Sequence, residues 1–199
     1  MLFRLLMVCA IVTLTGCASS PMLVANTQHL PEPTPDQAQV VFMRSSLLGS
    51  AINASLYRVD RGQIEFIGIM ANGTKIVHRV PPGKHVFMVV SEAADFMEAD
   101  LAAGKTYHSL VTPRMGAWKA RFSLWPIKAD AGAEYSTASS DFAGWLKNTR
   151  LVENTPQSRA WYDANKNSVY MKYTEYWPVW QGKSAEDLAR RTLVPEDGL

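Results

Sequence analysis

Turn signals cut the middle of this chain into pieces of strand length. Asp60-Arg61-Gly62, Ala71-Asn72-Gly73, Pro81-Pro82-Gly83 and Ala103-Gly104-Lys105 separate short apolar runs. Asn-Gly accepts positive φ at both central positions of a tight turn, and Pro-Gly stops a strand. Between these breaks lie "QVVFMRS" (39–45), "INASLYRV" (52–59), "QIEFIGIM" (63–70) and "TKIVHRV" (74–80). "KHVFMVVSE" (84–92), "FMEADL" (96–101), "TYHSLVTP" (106–113) and "AWKARFSLWPI" (117–127) continue the series. Eight such runs at this spacing predict a mainly β fold, an antiparallel β-sandwich of about seven to eight strands. Alternation puts Ile64, Phe66 and Gly68 on one face of their strand, with Ile67 and Ile69 on the other. In the last run, Trp118, Ala120, Phe122 and Leu124 oppose Lys119, Arg121 and Ser123. No glycine-rich phosphate loop or βαβ rhythm is present.

Only two cysteines occur, Cys9 and Cys17, both ahead of these runs, so the strand region has no disulfide framework. Arg4 precedes an apolar stretch over 5–14, and Thr15 and Gly16 follow it. Leu14-Thr15-Gly16-Cys17 resembles the lipobox of bacterial lipoproteins. That resemblance implies cleavage between Gly16 and Cys17, a diacylglyceryl group on the Cys17 thiol, and acylation of the new amine. Several chains on one residue make a durable anchor, where one alone holds marginally. Ala18, in place of the aspartate that marks inner-membrane retention, points to the periplasmic face of the outer membrane. No other run reaches the ~20 apolar residues of a membrane-spanning helix.

The expected organisation is a signal peptide over 1–16 and an acylated cysteine with a proline-rich tether over 17–37. A β-sandwich over 38–128 and a helical C-terminal extension over 129–199 complete it. "PEPTPD" lacks an apolar period and reads as a stiff, solvated spacer holding the domain tens of ångströms off the bilayer. "VVFMR", "VPPGKHVF" and "LAAGKTYHSLV" resemble the domain of unknown function 2846 of bacterial envelope lipoproteins. The Pro-Gly-Lys-His turn followed by an apolar strand is similar to that of PEGA-type β-sandwich repeats. The resemblance spans roughly residues 38 to 128 and implies fold and compartment, with no catalytic residue to carry over.

Beyond Lys128 the pattern turns helical. Ser139 or Ser140 can cap a helix over 141–148. Thr155-Pro156 opens a longer one, and Pro178 is expected to end it. Tyr162, Val169, Tyr173 and Trp177 recur at helical spacing. Ser184 and Asp187 resemble a capping box of a further short helix. The aromatic stripe has two readings. In one it packs on the sandwich; in the other, Trp161, Tyr173, Trp177 and Trp180 form a binding face for a glycan or peptide.

Candidate chemistry is sparse. A net charge of +2 gives no reason to expect nucleic acid as a partner. His29 falls in the tether, while His78, His85 and His108 belong to different strands without metal-ligand spacing. His85 is expected to pack on the Pro-Gly turn with a satisfied ring nitrogen. Ser45, Ser46 and Ser50 lack a nucleophile elbow. Glu92, Asp95, Glu98 and Asp100 are acidic neighbours, of which Glu98 and Asp100 share a face expected to be solvated beside Phe96. The expectation is therefore an envelope lipoprotein acting as a non-catalytic binding or scaffolding module, with no cofactor and no metal. Its partners would be the membrane through the lipid anchor, and an envelope protein, peptidoglycan or a glycan. Two alternatives are an envelope hydrolase acting on cell-wall or lipid material and a small ligand- or metal-binding lipoprotein.

Overall fold

A computed structural model describes residues 20–46, 48–114 and 121–199. Cys9, Gly16 and Cys17, and likewise Trp118, Lys119 and Ala120, lie outside the described residues. The first strands are β1 (Leu23–Val24), β2 (Ala38–Arg44), β3 (Ala54–Asp60), β4 (Gln63–Met70), β5 (Thr74–Val80) and β6 (Gly83–Val90). β7 (Ala94–Leu101), β8 (Thr106–Arg114) and β9 (Arg121–Ile127) follow. Then come α1 (Ser140–Lys147), β10 (Arg150–Glu153), α2 (Pro156–Gln181), α3 (Ala185–Arg190) and β11 (Thr192–Leu193).

Two sheets stack face to face, one in the order β1-β10-β5-β2-β8-β9 and the other β11-β7-β6-β3-β4. Their facing sides bury Val40, Phe42 and Leu124 from the first sheet against Leu56, Phe87 and Met97 from the second. A helix covers each outer side. α1 brings Phe142, Trp145 and Leu146 onto Val41, Met43 and Leu110 of the first sheet. α2 lies across Tyr57, Met88, Val90 and Phe96 of the second.

The sandwich-like fold is thus present, but with eleven described strands and two mixed sheets rather than seven to eight antiparallel strands. β2 pairs with β8 in parallel, as do β5 with β10 and β7 with β11. Parallel neighbours require a crossover, which no hairpin turn signal reports. β10 and β11 come from the segment expected to be a helical appendage, so that segment completes both sheets. Thr106 and Leu199 also exchange backbone hydrogen bonds, N to O in both directions, at 2.9 and 3.0 Å.

The segment read as a solvated tether is docked in its described part. Met22 and Ala25 are buried, β1 pairs with β10, and Gln28 bonds both the carbonyl and the amide of Leu151. Thr155, the N-cap of α2, donates through Oγ1 to the Pro21 carbonyl at 2.6 Å. Met22 is the reason: its side chain enters the main core beside Gly68 and Ile69, ahead of Pro31, Pro33 and Pro35.

Alternation fails inside β4. Leu56 pairs with Gly68 but Tyr57 with Phe66, so Ile67 has no opposite number. This bulge moves Gly68 to the interior against Ile76, away from Ile64 and Phe66, which pack toward α2. Pro178 does not end α2, which runs on to Gln181. One turn from the end, proline sacrifices a single backbone bond, and the packing of Trp177 and Trp180 on Phe96 holds the turn in place.

Two buried cations are held without a carboxylate contact among the described residues. Lys75 donates through Nζ to the Leu146 carbonyl at 2.8 Å, meeting the negative end of α1. Arg44 donates to three carbonyls, Gly49 (2.6 Å), Ile52 (2.7 Å) and Met70 (2.9 Å), with its guanidinium 4.2 Å from the Phe122 ring centre. Burial pushes its pKa down to about 10, which leaves it charged at neutral pH. The loop after β2 is therefore pinned to the core by one side chain.

Candidate functional site

The four aromatic residues of the expected binding face do not share a surface. Trp180 is buried and donates through Nε1 to Glu98 at 3.1 Å. Trp177 and Tyr173 stack on each other at 5.9 Å and meet Phe96 edge-on at 5.1 and 6.2 Å. These three pack the helix onto the sheet. Trp161, 38% exposed, stands about 100° to 160° around the helix from them, as one residue every ~100° requires. Along the Trp161 flank come Asn165, Ser168 and Lys172, within about 40° of it. The same arithmetic applied to the sequence finds this polar row, which the aromatic residues by themselves do not mark.

That flank forms one wall of a groove of about 460 Å³ between α2 and the ends of β3, β4 and β6. The opposite wall carries Ile52, Asn53, Ser55 and Val90, and Pro21 closes one end. Within the groove Lys172 Nζ donates to Ser168 Oγ at 2.8 Å, and Asn165 Nδ2 donates to the Trp161 carbonyl at 2.8 Å. The lining thus offers an indole face, two amides, hydroxyls, an ammonium and the Glu92 carboxylate. Such a set, with one cation and one carboxylate, suits a neutral polar ligand with an apolar face, which stacks on the indole while its hydroxyls reach the polar row.

A second cleft, about 710 Å³, lies at the other end of β3 and β6. It is lined by Arg58, Asp60, Arg61, Lys84, Glu98 and Asp100 among others. Most of these charges already have partners: Arg58 pairs with Glu65, Arg61 with Asp60, and Glu98 with Trp180. The α2 groove is the better candidate because its aromatic wall is open.

The titratable residues singled out in the sequence are spread apart. His85 Nε2 shares a 2.8 Å hydrogen bond with the Pro81 carbonyl, as a turn-packing residue should. His78 and His85 flank the Phe87 ring, at 6.3 and 6.1 Å, whereas His108 meets Phe142 of α1 at 4.9 Å. Burial pushes both His78 and His108 down to about 4, so each ring is neutral at pH 7. Among the described residues no three of His, Cys, Asp and Glu group closely enough to hold a metal ion. The Phe96–Glu98 face, expected to be solvated, is covered by α2 because Phe96 is the centre of its aromatic contact. Asp95 points away from it, to Arg191. Ser46 takes the Asn72 side-chain oxygen on its backbone amide, and its hydroxyl lies 3.4 Å from the Leu48 carbonyl. No helix among the described residues is long and apolar enough to cross a membrane. No family model matches the chain, and no curated protein matches it.

Proposed function

We propose that this chain is a lipid-anchored protein of the bacterial envelope, held at the periplasmic face of the outer membrane through Cys17, and that it acts as a non-catalytic binding module. The observation that carries the binding role is the groove beside α2, where Trp161 presents an open indole next to Asn165, Ser168 and Lys172. Its ligand is a short glycan or a peptidoglycan fragment, whose sugar faces stack on indole and whose hydroxyls match amide and hydroxyl partners. The anchor rests on Leu14-Thr15-Gly16-Cys17, and the resemblance to lipoproteins of the domain of unknown function 2846 belongs to the same proposal.

Two measurements test it. Metabolic labelling with a fatty-acid analogue should mark the wild type and not Cys17→Ser; equal labelling overturns the anchor. Titration of the purified protein with peptidoglycan fragments should shift the tryptophan emission of the wild type and not of Trp161→Ala. A flat titration of the wild type overturns the glycan-binding role.

A further inference from the structure

The described chain is fastened to the domain almost as soon as it begins. Ser20 Oγ accepts from the Met22 amide, the Pro21 carbonyl accepts from Thr155, and Met22 is buried in the main core. Cys17 stands four positions before Pro21. Four residues reach at most about 14 Å, while a compact unit of this length is about 40 Å across. An acyl anchor on Cys17 is thus tied by a leash much shorter than the domain is wide. Whatever surface flanks Pro21 meets the bilayer.

That surface is apolar where a free surface has no need to be. Ile52 lines the groove beside Pro21 and is 42% exposed. Leu23 and Val24, on the edge strand β1, follow Pro21 after the buried Met22 and are 58% and 39% exposed. The loop carrying Ile52 is rigidly presented, since the Arg44 guanidinium holds the carbonyls of Gly49 and Ile52 together.

We infer that the surface flanking Pro21, with Leu23, Val24 and Ile52, seats the domain directly on the lipid bilayer, so that the α2 groove opens at the level of the headgroups. The inference rests on the acylation of Cys17 proposed above. Its occupant is the membrane itself: apolar side chains enter the acyl boundary, and Trp161 and Lys172 at the rim have the character of interfacial residues. The ligand of the groove is then met at the membrane surface rather than at the end of a spacer.

The test uses the acylated full-length protein in phospholipid vesicles, with an environment-sensitive thiol probe on Leu23→Cys, Ile52→Cys or Lys84→Cys. Lys84 lies at the opposite end of β6 from the groove, six residues or about 20 Å from Val90. Quenching by spin-labelled lipid should be at least threefold stronger at positions 23 and 52 than at 84. Equal quenching at all three, with Cys17 acylated by mass spectrometry, overturns the docking and leaves the anchor standing. An unmodified Cys17 overturns the anchor itself. If one variant fails to fold, the other apolar position still decides the outcome.

Discussion

Arg191, at the C-terminal end of α3, forms a buried ion pair with Asp95 of β7. The same guanidinium donates to the carbonyls of Leu124 (2.8 Å) and Phe96 (3.0 Å) and sits 4.4 Å from the Trp125 ring centre. One side chain therefore clasps β7 of one sheet to β9 of the other along the edge of the sandwich. Among the described residues, a second cation near Asp95 is Arg114, at 4.0 Å.

Removing that clasp leaves a buried carboxylate without its main partner. Arg191→Ala is expected to lower unfolding free energy by about 3–5 kcal/mol, read from urea denaturation. Adding Asp95→Leu should recover part of the loss, because the stranded charge then goes too. A double variant no better than Arg191→Ala would show that the carbonyl bonds carry the effect.

The two kinds of tryptophan on α2 should separate cleanly. Trp180→Ala opens a cavity under the helix and orphans Glu98, at a cost of about 3–5 kcal/mol. Trp161→Ala, on the open flank, should stay within about 1 kcal/mol of wild type. Guanidinium unfolding of both variants checks this, and equal losses would place Trp161 in the packing as well.

Gly68 has no room for a methyl group. A Cβ there would lie 2.8 Å from Ile76 Cδ1 and 3.0 Å from Met22 Cε. Gly68→Ala is expected to destabilise by about 1–3 kcal/mol through overpacking. Because both obstructing atoms end flexible side chains, Ile76→Val in the same molecule should return part of it in thermal unfolding.

Acid should weaken the fold well before the carboxylates titrate. His78 and His108 are pushed down to about 4, against about 6.5 in the unfolded chain. Between those values the unfolded state binds more protons, so stability falls as pH drops from about 6.5 to 4. The expected loss is on the order of 3 kcal/mol for each histidine, about 7 kcal/mol for the pair, measured as a falling urea midpoint. His108→Phe, filling the same space against Phe142, should flatten that slope; an unchanged slope would remove His108 from the account.

How much of this was legible in the sequence depended on distance along the chain. Turn signals such as Ala71-Asn72-Gly73 act between neighbours, and they placed the eight long strands to within a few residues. β1, β10 and β11 are two to four residues long and take their partners from remote segments, as Leu23 does from Glu153. Nothing local in "LV" or "TL" marks a strand. The caps Ser139, Thr155 and Ser184 were readable because each side chain bonds an amide two or three residues on. The groove was half readable: Trp161 stood out by type, while Asn165, Ser168 and Lys172 needed both the helix period and the knowledge of which flank faced β3.

The parallel pairs impose an order of events. Gln39 must wait for Thr106, sixty-seven residues later, before β2 gains its second neighbour. Thr74 must wait for Arg150, and Glu98 for Thr192. Contacts of such long range slow folding, because loop closure comes before any reward. Until residues 192–193 arrive, the outer edge of β7 stays open to any other extended chain. A newly made chain is therefore most exposed to aggregation before its last residues pair.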